Sequence, residues 1–101
     1  MKYGLSESEL NLLNQLVVLP LKRQKAQIYL FGSRAAGKYK KFSDIDLFYI
    51  CAVDHKISGD VIYKIVSDIE ESDFPYKLDL VNYDELAMSY RKNIDLEKIL
   101  L

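Results

Sequence analysis

Two apolar, β-prone runs, Ile28 to Phe31 and Ile45 to Ile50, flank a polar stretch that opens with Gly32-Ser33 and closes with Ser43-Asp44-Ile45-Asp46. Alternate side chains of a strand share a face, so Asp44 and Asp46 are expected to project the same way and crowd one spot. Adjacent carboxylates raise each other's cost of ionising unless a cation sits between them. Glycine lets backbone amides come close to a phosphate, and the hydroxyl beside it adds a donor. Hard divalent cations take carboxylate and phosphate oxygens together, so this stretch reads as a centre for metal-dependent phosphoryl or nucleotidyl transfer.

The remaining sequence supplies a scaffold for that stretch. With 101 residues the chain has room for one core, so residues 1–101 are read as a single domain with no room for a second. Ser6 and Glu9 form a capping box that starts a helix at Glu7, with Leu5 and Leu10 as its hydrophobic staple. Leu10, Leu13, Leu16 and Val17 give that helix a core-facing stripe, and Pro20 is expected to stop or redirect it. Gln27 to Phe31 is the first strand, and a short helix from Ser33 would present its amino end to a phosphate. Ser58 caps a second amphipathic helix through Val61, Ile62, Ile65, Val66 and Ile69.

Pro75 introduces a third strand, Tyr76 to Asn82, in which Asp79 interrupts an otherwise apolar pattern. A carboxylate there is costly unless it has a partner or the strand lies at an edge facing water. Tyr83 to Lys92 reads as helix, and the apolar Ile99-Leu100-Leu101 must dock on the core or be covered by a partner.

Composition narrows the class. Fourteen basic against 15 acidic side chains leave a net charge of −1, which argues against a broad electrostatic grip on nucleic acid. The one cysteine, Cys51, has no internal partner and fits a reducing compartment; with no apolar run long enough to span a membrane and no leader pattern, the cytoplasm is the expected location. His55 stands without a second histidine or cysteine at ligand spacing and reads as a surface residue. Lys38, Tyr39, Lys40 and Lys41 read as a solvated turn, with contact to a triphosphate or an acidic partner as the sharper alternative.

Gly32-Ser33, Arg34-Ala35-x-Gly37 and Ser43-Asp44-Ile45-Asp46-Leu47 together resemble the signature of the DNA polymerase β nucleotidyltransferase superfamily. Within it the chain is similar to the minimal nucleotidyltransferases (MNT type), which pair with HEPN-domain proteins as the antitoxins of toxin–antitoxin modules. The resemblance implies an α+β nucleotidyltransferase fold, a small mixed sheet of three or four strands packed against helices. It implies that Asp79 is the third acid, joining Asp44 and Asp46 as catalytic residues and as ligands of two Mg²⁺ ions. Gly32, Ser33, Arg34 and Ser43 become the nucleotide-binding set; Ser43 also orders the turn, and Arg34 reaches either a phosphate or a carboxylate of the fold. Ala36 stands where relatives often carry a second arginine. The implied reaction is transfer of AMP from ATP to a hydroxyl of a HEPN partner. The alternatives are an antitoxin that masks its partner without turnover, and a nucleotidyltransferase acting on a small-molecule hydroxyl.

Overall fold

Ile28 and Leu30 meet Tyr49 and Leu47 across an antiparallel strand pair in the computed structural model, which describes residues 1–101. That pair is the centre of a four-stranded mixed sheet. β1 (Gln27–Phe31) and β2 (Ile45–Ile50) are joined through α3 (Gly32–Ala35) and the polar turn that follows it. β2 then leads through α4 (Gly59–Glu70) to β3 (Leu78–Asn82), which lies parallel to β2 with Asp46 opposite Asp79. A parallel pair needs a crossover connection, and α4 supplies it. The chain continues through a 3₁₀ turn, Tyr83–Glu85, and α5 (Met88–Glu97) to β4 (Ile99–Leu100), giving the spatial order β3-β2-β1-β4.

The two sheet faces differ in chemistry. Ile28, Leu30, Ile45, Leu47, Tyr49 and Leu78 point into the main core. Leu13, Val17, Val18 and Leu21 from the amino-terminal helices and Ile65 and Ile69 from α4 close over them. The opposite face carries Tyr29, Phe31, Asp46 and Phe48. Here Phe48 is fully buried, stacked on Tyr29 with ring centroids 5.0 Å apart and tilted against Phe31 and Tyr83. Period-two alternation therefore puts the carboxylates on the aromatic face, away from the aliphatic core.

The amino-terminal helix forms as its capping box dictates. Ser6 Oγ accepts from the Glu9 amide at 3.2 Å, and Glu9 Oε1 accepts from the Ser6 amide at 2.8 Å, so α1 (Glu7–Leu13) starts where expected. Pro20 does not stop this helix. A π-helical turn, Asn14–Val18, widens it, and a new register begins in α2 (Leu19–Arg23) with Pro20 in the first turn. A first-turn proline removes an N–H that has no partner in the new register, so the chain keeps its direction.

Two elements also differ from the sequence pattern. β3 begins at Leu78 rather than Tyr76. The helix expected over Tyr83 to Lys92 divides into the 3₁₀ turn, capped by Asn82, and α5, which starts at Met88. The division is held by Arg91, whose guanidinium donates to the carbonyls of Asp84 and Leu86, both at 3.0 Å. The apolar end docks on the sheet: Ile99 pairs with Leu30, Leu100 with Tyr29, and the Leu101 amide donates to the Ile28 carbonyl at 3.0 Å.

Replacing Ser6 with Ala removes one half of the capping box and leaves the Glu9 amide without its side-chain acceptor. The expected loss is about 1 kcal/mol of unfolding free energy, read from urea denaturation.

Candidate active site

Asp46 and Asp79 are cross-strand partners on adjacent parallel strands, which places their backbones about 4.8 Å apart with both side chains on one face. The Asp46 carboxyl is pushed up from its ordinary 3.8 to about 6. Burial is the largest cause; the negative charges of Asp79 and Asp44 and a hydrogen bond with Asp79 add to it, and Lys77 offsets it slightly. Lys77 Nζ lies 3.8 Å from Asp79 Oδ1, but both side chains are largely exposed, so that pair does little to neutralise the site.

The turn after β1 packs onto the same carboxylate. Gly32 has φ +75°, a left-handed conformation that favours glycine, and a Cβ built there would fall on Asp46 Oδ2 and lie 3.1 Å from Asp46 Cγ. Only hydrogen fits between the Gly32 backbone and the Asp46 carboxylate. The pairing of Phe31 with Asp46 fixes this approach, because Gly32 directly follows Phe31. Ser33 is half-buried in α3, behind that turn.

Asp44 stands one residue before β2, whose first residue is Ile45, and is exposed. It reaches Asp46 through its charge, while the closest partner of Asp46 is Asp79 from the neighbouring strand. The charge of Asp44 from the Asp-x-Asp spacing and that of the cross-strand Asp79 therefore both bear on Asp46. No group of three acidic, histidine or cysteine side chains converges tightly enough to enclose a cation by itself. The donor set nevertheless suits a hard divalent ion: two carboxylates share one face, their mutual repulsion is relieved by a cation, and Mg²⁺ ordinarily keeps open positions for water and substrate phosphate.

Arg34 takes neither of the roles expected of it. It is 2% exposed, the one charged residue in the buried interior. Nε and Nη2 donate to the Ser43 carbonyl at 3.1 and 2.7 Å, and Nη1 donates to the Tyr3 carbonyl at 2.8 Å. Its Cζ lies 4.4 Å from the centre of the Tyr76 ring and 5.3 Å from that of Tyr39. Carbonyl dipoles and aromatic faces thus balance the buried charge in place of an anion. The result is mechanical: Arg34 ties the amino-terminal lead, the turn before Asp44 and Tyr76, two residues before β3, into one joint. Ser43 orders the same turn as expected, its Oγ accepting from the Lys40 amide at 2.7 Å. Lys38, Lys40 and Lys41 are exposed, and His55 is bound at the surface to Gln24 at 3.0 Å.

Two clefts meet at Asp46. One, of about 440 Å³, is lined by Asp46, Asp79, Phe31 and Tyr90 among others. The other, of about 280 Å³, is lined by Gly32, Asp46, Phe31, Tyr90, Asn93 and Glu97 among others. Phe31 and Tyr90 are site-lining residues that the sequence pattern did not single out. Phe31 is legible in hindsight as the residue before the glycine turn, whereas Tyr90 arrives only through the packing of α5.

A mixed sheet with paired aspartates on adjacent strands and a glycine turn folded onto one of them defines the class as a nucleotidyltransferase fold. The chain belongs to the family described as "Polymerase beta, Nucleotidyltransferase", whose sequence pattern matches residues 18–101. It is 31% identical over 67 residues to "Probable protein adenylyltransferase MntA" of Haemophilus influenzae, covering 66% of this chain and 57% of that relative. The chain thus spans somewhat over half the length of that relative.

Among solved structures, it matches one described as a toxin-antitoxin with AMP-PNP, with a TM-score of 0.65 and 20% identity, over 86% of this chain and 70% of the other. It also matches a complex of tri-AMPylated Shewanella oneidensis HEPN toxin with MNT antitoxin, with a TM-score of 0.61 and 18% identity, over 91% of this chain and 70% of the other. At these identities the two structures establish the shared fold.

Two outcomes follow from this geometry. Arg34→Met leaves the Ser43 and Tyr3 carbonyls without their donors and is expected to cost about 2–4 kcal/mol in urea denaturation, since bonds to charged groups are worth more than neutral ones. For Asp46, the folded chain holds a proton that the unfolded chain has already released between pH 3.8 and about 6. Stability contributed by that carboxyl is present at low pH and is lost as pH rises through about 6. Metal-free Asp46→Asn protein should therefore lose less stability than the unsubstituted chain between about pH 4 and about pH 7, measured as the shift in denaturation midpoint.

Proposed function

We propose that this chain is a Mg²⁺-dependent nucleotidyltransferase, one domain of 101 residues acting in the cytoplasm, that moves AMP from ATP to a hydroxyl of a HEPN-domain partner. The observation that carries the reading is the Asp46–Asp79 pair facing the Gly32 turn in a chain of this family. The likeness to the MntA adenylyltransferase supports AMP as the group transferred. The likeness to toxin–antitoxin complexes, one with an AMPylated HEPN toxin, supports the partner.

Asp44, Asp46 and Asp79 would hold two Mg²⁺ ions, which when bound supply charge neutralisation at the triphosphate and the departing pyrophosphate. The protein's own share is positional. Gly32 and Ser33 bring backbone and hydroxyl donors to the phosphates and leave the α-phosphorus open to in-line approach. Asp79, on the edge strand beside the larger cleft, is placed to take the proton of an incoming hydroxyl. Arg34 acts through Ser43, holding the turn that delivers Asp44, and does not itself meet the nucleotide.

A masking antitoxin without turnover is the second reading, and the apolar side chains exposed around α5 and β4 favour it. Met88, Leu96 and Leu100 are each exposed and would be available to a partner whether or not chemistry follows. The two readings separate on incubation with a HEPN-domain protein encoded beside this chain, where one is found, together with ATP and Mg²⁺. Mass spectrometry is expected to find AMP on the partner, at a rate that Asp46→Asn lowers by about two to three orders of magnitude. Full neutralisation of the partner with no adduct would leave masking as the function.

A further inference from the structure

We propose that Tyr90 is an acceptor for transfer within the chain itself, so that the protein adenylylates its own Tyr90 Oη; this rests on the nucleotidyltransferase reading above. Of the two clefts that meet at Asp46, one contains the Gly32 turn and the other contains Asp79. The first is the side on which phosphates approach a backbone, and the second is the side on which a hydroxyl loses its proton. Tyr90 is one of the residues, with Phe31 and Asp46, that line both clefts, so its side chain is the phenol-bearing one nearest the place where they meet.

No other tyrosine lines either of these clefts, and most are otherwise engaged. Tyr83 donates to Asp95 at 2.8 Å and Tyr29 to Gln27 at 3.4 Å. Tyr49 is buried, and the rings of Tyr39 and Tyr76 lie against Arg34. Tyr90 is 58% exposed. Its backbone is nevertheless fixed, because its amide donates to the Ala87 carbonyl at 2.9 Å and the neighbouring Arg91 anchors the start of α5 to Asp84 and Leu86. A side chain free to rotate on a fixed backbone can swing its hydroxyl toward the shared wall at Asp46 without moving the helix.

The step is ordinary phosphoryl-group chemistry. Tyr90 Oη forms a bond to the α-phosphorus of ATP, the bond from that phosphorus to the bridging oxygen breaks, and pyrophosphate leaves with the electron pair. The phenolic proton passes to the Asp79 carboxylate and on to solvent. The modified tyrosine places an AMP group across the junction of the clefts, which closes the site to a further nucleotide.

The test uses the full chain with ATP and Mg²⁺, intact mass measurement and peptide mapping. One AMP increment is expected on the peptide holding Tyr90, at a rate independent of chain concentration, absent from Tyr90→Phe and from Asp46→Asn. A readout without turnover is nitration by tetranitromethane: Mg²⁺ with α,β-methylene ATP should shield Tyr90 severalfold and leave Tyr63, on α4 away from these clefts, unprotected. An adduct mapped to another residue overturns the proposal. So does unchanged nitration of Tyr90, or an unmodified chain in a preparation that adenylylates an added partner. If no pyrophosphate is released with any acceptor, the nucleotidyltransferase reading falls and the self-modification falls with it.

Discussion

Asp46 and Asp79 repel each other across one strand spacing, and the sheet holds them there. The repulsion is visible in the carboxyl of Asp46, pushed up to about 6 by burial first and by its acidic neighbours second. A protein has no stability reason to set a half-buried acid directly beside a second one, so the cost must be supported by packing elsewhere. The aliphatic face of the sheet provides that support. Ile45, Leu47 and Leu78, one residue removed from the acids along the same strands, are buried under the amino-terminal helices and α4. Each acid is thus flanked by residues whose burial pins its backbone.

Arg34 extends the same logic to the turn. A guanidinium buried without a carboxylate would be costly, and here it is satisfied by two backbone carbonyls and two aromatic rings. Gly4, in the lead, packs so closely on this joint that a Cβ there would lie 2.7 Å from Arg34 Nη1, with φ +76° besides. The amino-terminal lead is therefore part of what positions Asp44, although it is remote from the acids in sequence.

Local signals in the chain were legible and non-local ones were not. The Ser6–Glu9 box, the Ser58 cap and the strands around Gly32 all depend on neighbours in sequence, and each forms within a few residues of where its pattern points. Pro20 misled because a π turn upstream resets the helix register, which no residue type announces. Arg34 misled because its partners, Tyr3, Ser43 and Tyr76, meet only after folding. The aspartates were legible as residues, and the charges of Asp44 and Asp79 both act on Asp46; what the sequence does not carry is the register that sets Asp79 directly opposite Asp46.

The crossover through α4 carries a consequence for how the site comes into being. Asp46 and Asp79 belong to strands that align only when the chain has looped through a whole helix, and closing such a loop costs conformational entropy before any contact rewards it. A partly made or partly folded chain therefore holds its acids apart and has nothing with which to capture a cation. An ion seated between the acids would then act as a clasp, drawing the folding equilibrium toward the finished sheet as its concentration rises.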